Sequence, residues 1–248
     1  MAKFHVFSGQ TPIGCFMSIG NDFLVSSPEF CFLQMAEQLT LFELIELGYE
    51  LCGAYSLPLQ GDTAVPEKGF YDRSPLTSKK KLGEFMDGMA GAKAHHKASR
   101  ALRYVIDGSA SPMETKLAIA LTLPYKLGGY GFAAPELNKR VALSKATKKY
   151  FSKDYYVCDM FWPEKEVAAE YDSDKFHTGS ERIANDSKKR NALATQGINV
   201  VSVTRLQLYN SAEFAEVART LAYYLDKRLQ FKKGRFSTAH NELRRQLL

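Results

Sequence analysis

Acidic side chains recur at close spacing in the second half of the chain, within two segments rich in aromatic and β-branched residues. Glu170 and Asp172 are two residues apart, so a strand would point both to one face. Asp159 lies in the preceding segment, and a neighbouring strand would bring it within reach of them. Three such oxygen ligands suit Mg²⁺ or Mn²⁺, and a bound divalent ion polarises a phosphate and activates water. The spacing alone leaves a second interpretation open, in which these acids are a solvated strand face.

Glu114 has two interpretations. Ser111 and Glu114 have the spacing of a capping box, which would give Glu114 a structural role at the start of a helix. Glu114 also lies on the apolar stripe that includes Leu117 and Leu121, three and seven residues on. A carboxylate on a buried face needs a partner, because burying an unpaired charge is costly. A metal ion or a water bound to it would serve, so Glu114 is a candidate third member of the site.

Residues that could handle protons and phosphates follow the acidic segments. His177 titrates near neutral pH and could act as a general acid or base, although a surface or structural role is the commoner one for a lone histidine. Lys188, Lys189 and Arg190 are consecutive on the next predicted helix and could hold a phosphate backbone. A solvated helix face, with Asp186 paired to Arg190 four residues later, explains these charges equally well.

The elements that would position these residues are predicted from periodicity and punctuation. After a break at residues 107–109, the pattern predicts a helix, two strands, a helix, a strand and a helix, with Gly197 ending the second helix. Their bounds are residues 111–123, 155–161, 167–172, 180–195, 198–203 and 211–229. This order predicts an α/β domain with a mixed central sheet flanked by helices, over residues 108–248.

The first 107 residues predict a small α+β domain. Short strands are expected at residues 4–7, 15–19 and 23–25, followed by a helix or helix pair from Ser26 to Gly53. Ser26 and Glu29 have capping-box spacing at its start. A loop over residues 56–75 precedes helical periodicity over residues 77–105, broken near Gly88 and Gly91.

Composition limits the class of protein. The chain has 248 residues and a net charge of +6, which fits a nucleic-acid partner. No apolar run reaches the roughly 18 residues of a membrane span, and the start lacks the apolar core of a signal peptide, so the prediction is cytoplasmic with no membrane partner. The four cysteines lack zinc-finger spacing. Residues 227–245 carry seven basic residues against one acid, and this tail suits either DNA or a solvated end.

The residues of the second half carry a family resemblance. The segments over residues 158–164 and 167–172, His177, residues 186–190 and the strand after Gly197 together resemble the PD-(D/E)XK nuclease superfamily. Within it they look closest to the very-short-patch-repair-like branch, which often has an acid-x-Asp-Gly-x-x-x-x-His pattern. Residues 111–114 resemble the start of the first helix in that branch. The resemblance covers about residues 108–210.

The resemblance implies a restriction-endonuclease-like core with Mg²⁺ or Mn²⁺ as cofactor. It implies that Asp159 and Glu170 are metal ligands, that Glu114 holds a metal-bound water, and that His177 is catalytic. Asp172 stands where the superfamily usually has lysine, Lys175 is near but out of register, and Ser173 replaces the usual glycine. We expect catalytic roles for Glu114, Asp159, Glu170, Asp172 and His177, and DNA binding by Lys175, Lys188, Lys189 and Arg190.

Two functions from different classes follow. The first is a metal-dependent DNA endonuclease, acting in phage defence or DNA repair. The second is a DNA-binding or antitoxin-like regulator that kept the fold without activity, which the aspartate at the lysine position favours. Residues 1–105 are similar to segments that precede such domains in abortive-infection and toxin–antitoxin proteins, which leaves room for a protein partner.

Overall fold

The computed structural model describes residues 11–20, 22–57, 70–151, 153–172, 180–229 and 235–248. The strand predicted at residues 4–7 and the candidate residues Lys175 and His177 lie outside these ranges. Within them, no helix combines the length and the apolar character needed to cross a membrane.

The first part of the chain contains two short antiparallel hairpins and four helices. The elements are β1 (Phe16–Ser18), β2 (Leu24–Ser26), α1 (Pro28–Met35), α2 (Leu41–Leu51), β3 (Tyr55–Ser56), β4 (Phe70–Tyr71), α3 (Lys79–Gly88) and α4 (His95–Leu102). The sequence left one helix or two open after β2, and the structure has two. The interruption before α2 follows from Thr40, which forms a capping box with Glu43 and so begins a new helix.

The start of α1 differs by one residue from the prediction. Ser27, rather than Ser26, is the N-cap, and its Oγ accepts a hydrogen bond from Phe30 N at 3.2 Å. Ser26 instead ends β2, and its hydroxyl donates to Gln34 Oε1 at 2.9 Å. The predicted breaks at Gly88 and Gly91 are confirmed, because α3 ends at Gly88 and α4 begins at His95.

The second part contains a four-stranded mixed sheet with helices on both faces. The elements are α5 (Pro112–Thr122), β5 (Glu136–Ala142), β6 (Tyr155–Trp162), β7 (Val167–Asp172), α6 (Ser180–Thr195), β8 (Asn199–Thr204), α7 (Arg205–Tyr209), α8 (Ser211–Tyr224) and α9 (Arg235–Leu247). The strand order is β5-β6-β7-β8; β7 and β8 are parallel and the other pairs are antiparallel. The predicted mixed sheet flanked by helices is therefore confirmed.

Alternate residues of the strands enter different buried clusters. Met160 and Val167 belong to a large cluster shared with α5, α8 and α9, whereas Phe161 and Ala168 belong to a smaller one shared with α6. The large cluster also contains residues of α1 to α4, so one core joins the first part of the chain to this sheet. Helices α5 and α6 thus lie on opposite faces, and each brings side chains to β7.

Besides the short elements β3, β4 and α7, the sequence missed two larger ones among the described residues. Strand β5 lies at the sheet edge and carries Lys139 and Arg140, so its apolar alternation is weak. The basic tail is partly folded, because Leu243 and Leu247 of α9 are buried in the large cluster. The helix predicted over residues 211–229 ends at Tyr224. The solvated-end interpretation of the tail is therefore wrong for α9.

Candidate functional site

The site lies where β6 and β7 stop pairing. Their register runs from Trp162↔Val167 to Met160↔Ala169 and ends there. Beyond the Met160↔Ala169 pair, the Asp159 side chain takes the place of a backbone carbonyl acceptor, because its Oδ2 accepts a hydrogen bond from Tyr171 N at 2.8 Å. A carboxylate therefore lies between two strands at the point where they separate.

Strand β5 is distorted at the same level of the sheet. Asn138 has a left-handed backbone (φ 47°), and the regular pairs with β6 include Leu137↔Met160 and Lys139↔Cys158 but not the level between them. Asparagine tolerates this conformation better than most residues. The Asn138 amide donates to Gly108 O at 3.0 Å and to Glu114 Oε2 at 2.6 Å. The distortion thus places an amide against the acidic residue of α5.

Glu114 lies at the start of α5, where its carboxylate accepts hydrogen bonds from Asn138 and from the backbone. Ser111 caps α5 by accepting from Glu114 N at 3.2 Å, but Glu114 Oε2 accepts from Ala110 N at 3.0 Å rather than from Ser111 N, so the predicted capping box is only half formed. Burial and the nearby charge of Asp159 raise the pKa of Glu114. The carboxylate therefore ties the start of α5 to the residue before its N-cap and interacts electrostatically with Asp159.

Glu170 is held by a lysine from the opposite element. Lys189 Nζ of α6 lies 2.5 Å from Glu170 Oε2, and the two side chains are 21% and 15% exposed. The other oxygen, Oε1, is buried and accepts no hydrogen bond from a nitrogen or hydroxyl donor among the described residues. The Asp159 carboxyl and the Cys158 thiol lie within hydrogen-bonding reach of the Glu170 carboxylate. A proton shared with Asp159, or a cation, would therefore stabilise this carboxylate.

Asp159 and Glu170 are two neighbouring acids with one cation, Lys189, beside them. Burial and the charge of Glu170 raise the pKa of Asp159 to about 7. Burial also raises the pKa of Glu170, although Lys189 opposes that shift. Burial lowers the pKa of Lys189, but the carboxylate of Glu170 outweighs it and the net shift is upward. One lysine therefore does not fully neutralise the two carboxylates.

A small cleft of about 80 Å³ lies beside Glu170 and does not include Asp159. Its walls come from β7, β8 and α6, namely Glu170, Tyr171, Asp172, Asp186, Lys189, Arg190, Val200 and Ser202. The acidic and basic side chains of this lining suit a ligand that carries both a metal ion and a phosphate.

The predicted site residues fall into three groups. Asp159, Glu170 and Glu114 are partly buried, Asp172 is exposed at the end of β7, and Lys188 and Arg190 are exposed on α6. Lys189, predicted only to bind nucleic acid, is inside the site on Glu170. Within the described ranges, no three or more His, Cys, Asp or Glu side chains form a group that could hold a metal ion. The structure therefore offers an acidic pair with Glu114 beside it, not a three-carboxylate cage.

Sequence reasoning gave Lys189 a different role and missed Asn138, although both carried a signal. Lys189 precedes the buried Ala192 and Leu193 by three and four residues, so helical periodicity alone puts it on the inner face of α6. Asn138 carried the weaker signal, because an asparagine within a strand favours a turn or a left-handed residue.

No family model, curated protein or solved structure matches the chain.

Proposed function

We propose that the protein is a metal-dependent endonuclease that hydrolyses phosphodiester bonds in DNA. The observation that carries the proposal is the largely buried acidic pair, Asp159 and Glu170, with Lys189 on one Glu170 oxygen and no nitrogen or hydroxyl donor on the other. Such a pair is expensive to bury unless a cation offsets it, and one lysine is too little for two acids. Largely buried acids with raised pKa values beside a cleft are typical of functional sites.

The residues present fit a hard divalent cation. Mg²⁺ and Mn²⁺ prefer oxygen ligands, and Mg²⁺ in phosphate-handling sites uses one or two carboxylates and completes its shell with water and phosphate oxygens. Asp159 and the second oxygen of Glu170, Oε1, would hold the ion. When bound, it would supply Lewis-acid polarisation of a phosphate and a lower pKa for an attacking water.

The remaining side chains have roles of their own. Lys189 fixes Glu170 by taking one of its oxygens, which leaves the other aimed away from the lysine. Its charge at the cleft wall would also attract a phosphate. Lys188 and Arg190 are exposed beside it, so they would hold the flanking backbone of the nucleic acid. Glu114 would accept hydrogen bonds from a water near Asp159.

The second candidate is a DNA-binding regulator without activity. The specific observation in its favour is that Lys189 already occupies Glu170, so the cluster is partly compensated by the protein itself. The exposed Asp172 at the position where the superfamily has lysine adds to it. This candidate predicts DNA binding with a steep salt dependence and no cleavage with any divalent ion.

Plasmid cleavage with Mg²⁺ or Mn²⁺ tests the proposal directly. We expect nicked or linear products from the wild-type protein and none above background from Asp159→Asn or Glu170→Gln. The matched control is Asp154→Asn, which removes an exposed aspartate that pairs with Lys148 just before β6, and it should cleave like the wild type. Cleavage that persists in Asp159→Asn would refute the assigned site.

Metal binding separates the two candidates even if the DNA substrate is wrong. A rise in melting temperature with Mn²⁺ that disappears in Asp159→Asn supports the nuclease. Salt-sensitive DNA binding, with no Mn²⁺ response and no cleavage, supports the regulator instead.

A further inference from the structure

Strands β5 and β6 continue as a two-stranded ribbon beyond the acidic pair. β6 pairs with β7 only from Met160 to Trp162, whereas it pairs with β5 as far as Tyr155. The ribbon therefore begins at the level of Asp159 and leads away from it. We call residues 138–158, which comprise both strands of the ribbon and their connection, the arm.

One face of the arm is packed and the other is open. Tyr156 and Cys158 are buried in the smaller cluster, which is shared with α6. Tyr155 and Val157 alternate with them along β6, so they point to the opposite face, where they are 40% and 36% exposed. The residues that pair with these two in β5 are exposed as well, and we call the four together the open face: Arg140, Ala142, Tyr155 and Val157.

Most of the net charge of the chain lies on the arm. Asp154 is the only acidic residue in it, and its six basic residues are Lys139, Arg140, Lys145, Lys148, Lys149 and Lys153. Six basic residues less one acid leave the arm with +5, against +6 for the whole chain. All six are exposed, and among the described residues only Lys139 and Lys148 pair with an acid. A positive potential this concentrated attracts a polyanion.

Exposed tyrosines accompany the positive charge. The guanidinium carbon of Arg140 lies 4.9 Å from the centroid of the Tyr155 ring, so the two side chains form a cation–π pair on the open face. Tyr150, in the connection between the strands, is 78% exposed. Bases of a single strand stack on aromatic rings of this kind while basic side chains hold the phosphates. In a duplex a base must first leave the helix to do so, which costs free energy.

The arm is fixed to the rest of the domain. Gln196, directly after α6, donates to Ala142 O at 3.3 Å and accepts from Ser144 N. Leu143 N donates to Asp154 O at 2.8 Å, which closes the end of the ribbon. A preformed surface loses less conformational entropy on binding than a flexible segment does.

The open face also lies close to the acidic pair. Tyr155 precedes Asp159 by four residues on β6, a separation of about 13 Å at the usual rise of a strand. We propose that the open face and Tyr150 bind single-stranded DNA and lead it to Asp159. The choice of DNA rests on the proposed nuclease function, whereas binding itself requires only the charge and the tyrosines of the arm. Negative supercoiling favours strand opening, so a plasmid offers such a strand as well.

Fluorescence anisotropy with labelled single-stranded DNA of mixed sequence tests the proposal, in EDTA so that no cleavage occurs. We expect Tyr155→Leu and Tyr150→Leu each to weaken binding at least about fivefold, the effect of losing one stacked base. Arg140→Gln and Lys149→Gln should each reduce the slope of log affinity against log salt concentration by about 0.7. Binding of a blunt duplex of the same sequence should change less than about twofold in the two tyrosine variants.

The matched controls remove the same kinds of side chain outside the arm. Tyr223 on α8 and Lys80 on α3 have side chains that are 80% and 85% exposed, so Tyr223→Leu and Lys80→Gln should bind like the wild type. Asp159→Asn should bind the single strand at least as tightly as the wild type, because it removes a negative charge. Urea midpoints confirm that each variant folds, and the two tyrosine variants test the open face and the connection independently.

Four results would overturn the proposal. They are a wild type that binds no single-stranded DNA, unchanged binding in both tyrosine variants, an equal loss on the duplex, and a loss of the same size in Tyr223→Leu. The nuclease function fails by a separate result, in which the wild type cleaves no plasmid or Asp159→Asn still cleaves it. Loss of single-strand binding in the arm variants supports the arm whether or not the wild type cleaves.

Discussion

Replacing Lys189 with methionine should destabilise the protein strongly, and more at high pH than at low pH. Methionine keeps most of the length and removes the charge, so the buried carboxylate of Glu170 loses its only cationic partner among the described residues. Lys188→Met is the matched control, because that neighbour on the same helix is exposed. A surface change of this kind alters stability by no more than about 0.5 kcal/mol.

The magnitude follows from the geometry of the pair. At 2.5 Å the attraction is about 6–7 kcal/mol at an effective dielectric constant of about 20, and desolvation offsets most of it. Removing one partner of a buried pair costs about 3–5 kcal/mol. We expect about 3 kcal/mol at pH 8, because both side chains keep some exposure. The direct coupling between Lys189 and Glu170 should be about 2 kcal/mol.

The pH dependence has a definite sign. The folded-state pKa of Asp159 is about 7, above its unfolded value of about 4, so the folded state holds a proton that the unfolded state releases in between. The contribution of Asp159 to the free energy of unfolding is therefore fully present below about pH 4 and is lost as the pH rises through 7. At pH 8 both carboxylates are charged and Lys189 matters most. At pH 5 one proton compensates the pair, and the cost of Lys189→Met should fall to about 1–2 kcal/mol.

Urea unfolding of the wild type, Lys189→Met, Glu170→Gln and the double variant at both pH values provides the double-mutant cycle. A coupling energy below about 0.5 kcal/mol at pH 8 would refute the buried-pair reasoning. So would a cost of Lys189→Met that does not decrease at pH 5. Neither result depends on whether DNA is the substrate.

Three further predictions concern the framework of the site and can be measured by urea unfolding. Gly129→Ala should cost several kcal/mol because the added Cβ collides with the Leu123 carbonyl, whereas Gly83→Ala in α3, with open space around it, should stabilise by about 0.5–1 kcal/mol. Asn138→Ala should cost about 3 kcal/mol, since it removes a 2.6 Å hydrogen bond to a carboxylate and leaves alanine at a left-handed φ. His240 is buried, with Nδ1 hydrogen-bonded to the Gly128 carbonyl and Nε2 without a partner among the described residues. Burial lowers the pKa of His240, so the free energy of unfolding decreases as the pH falls below about 6.5. His240→Phe should abolish that decrease between pH 7.5 and 5.5.

Each of these has an outcome that contradicts it. Equal effects of Gly129→Ala and Gly83→Ala would mean that the close approach is not real. Asn138→Gly also loses the hydrogen bond but tolerates the left-handed φ, so it should cost less than Asn138→Ala, and the reverse order would contradict the left-handed assignment. An unchanged acid dependence in His240→Phe would assign it to other groups.

The strands that hold the site could be predicted because apolar residues dominate them and their boundaries are marked in the sequence. β6, β7 and β8 are short β-branched or aromatic runs with clear boundaries, and the helix between β7 and β8 ends at a glycine. These signals lie in the local sequence, so they can be recognised without knowledge of the tertiary structure. The neighbouring positions of Asp159 and Glu170 followed from strand pairing alone.

The rest depends on contacts that a local pattern does not contain. β5 pairs on one side only and is half polar, and α9 is a basic helix whose few leucines pack against distant elements. The shape of the acidic cluster depends on where β6 and β7 separate, and that point is set by sheet distortion rather than by residue spacing. The positions of Lys175 and His177 lie outside the described residues, so their roles stay predictions.

The left-handed residue in β5 has a consequence for comparing sequences. A β-branched residue at position 138 would oppose the positive φ and favour regular pairing through that level, which would pull Asp159 out of its place against Tyr171 N. A descendant of this protein could thus lose the site while keeping every acidic residue and Lys189. Inheritance of function should therefore be judged by the backbone-shaping residue as well as by the charged ones.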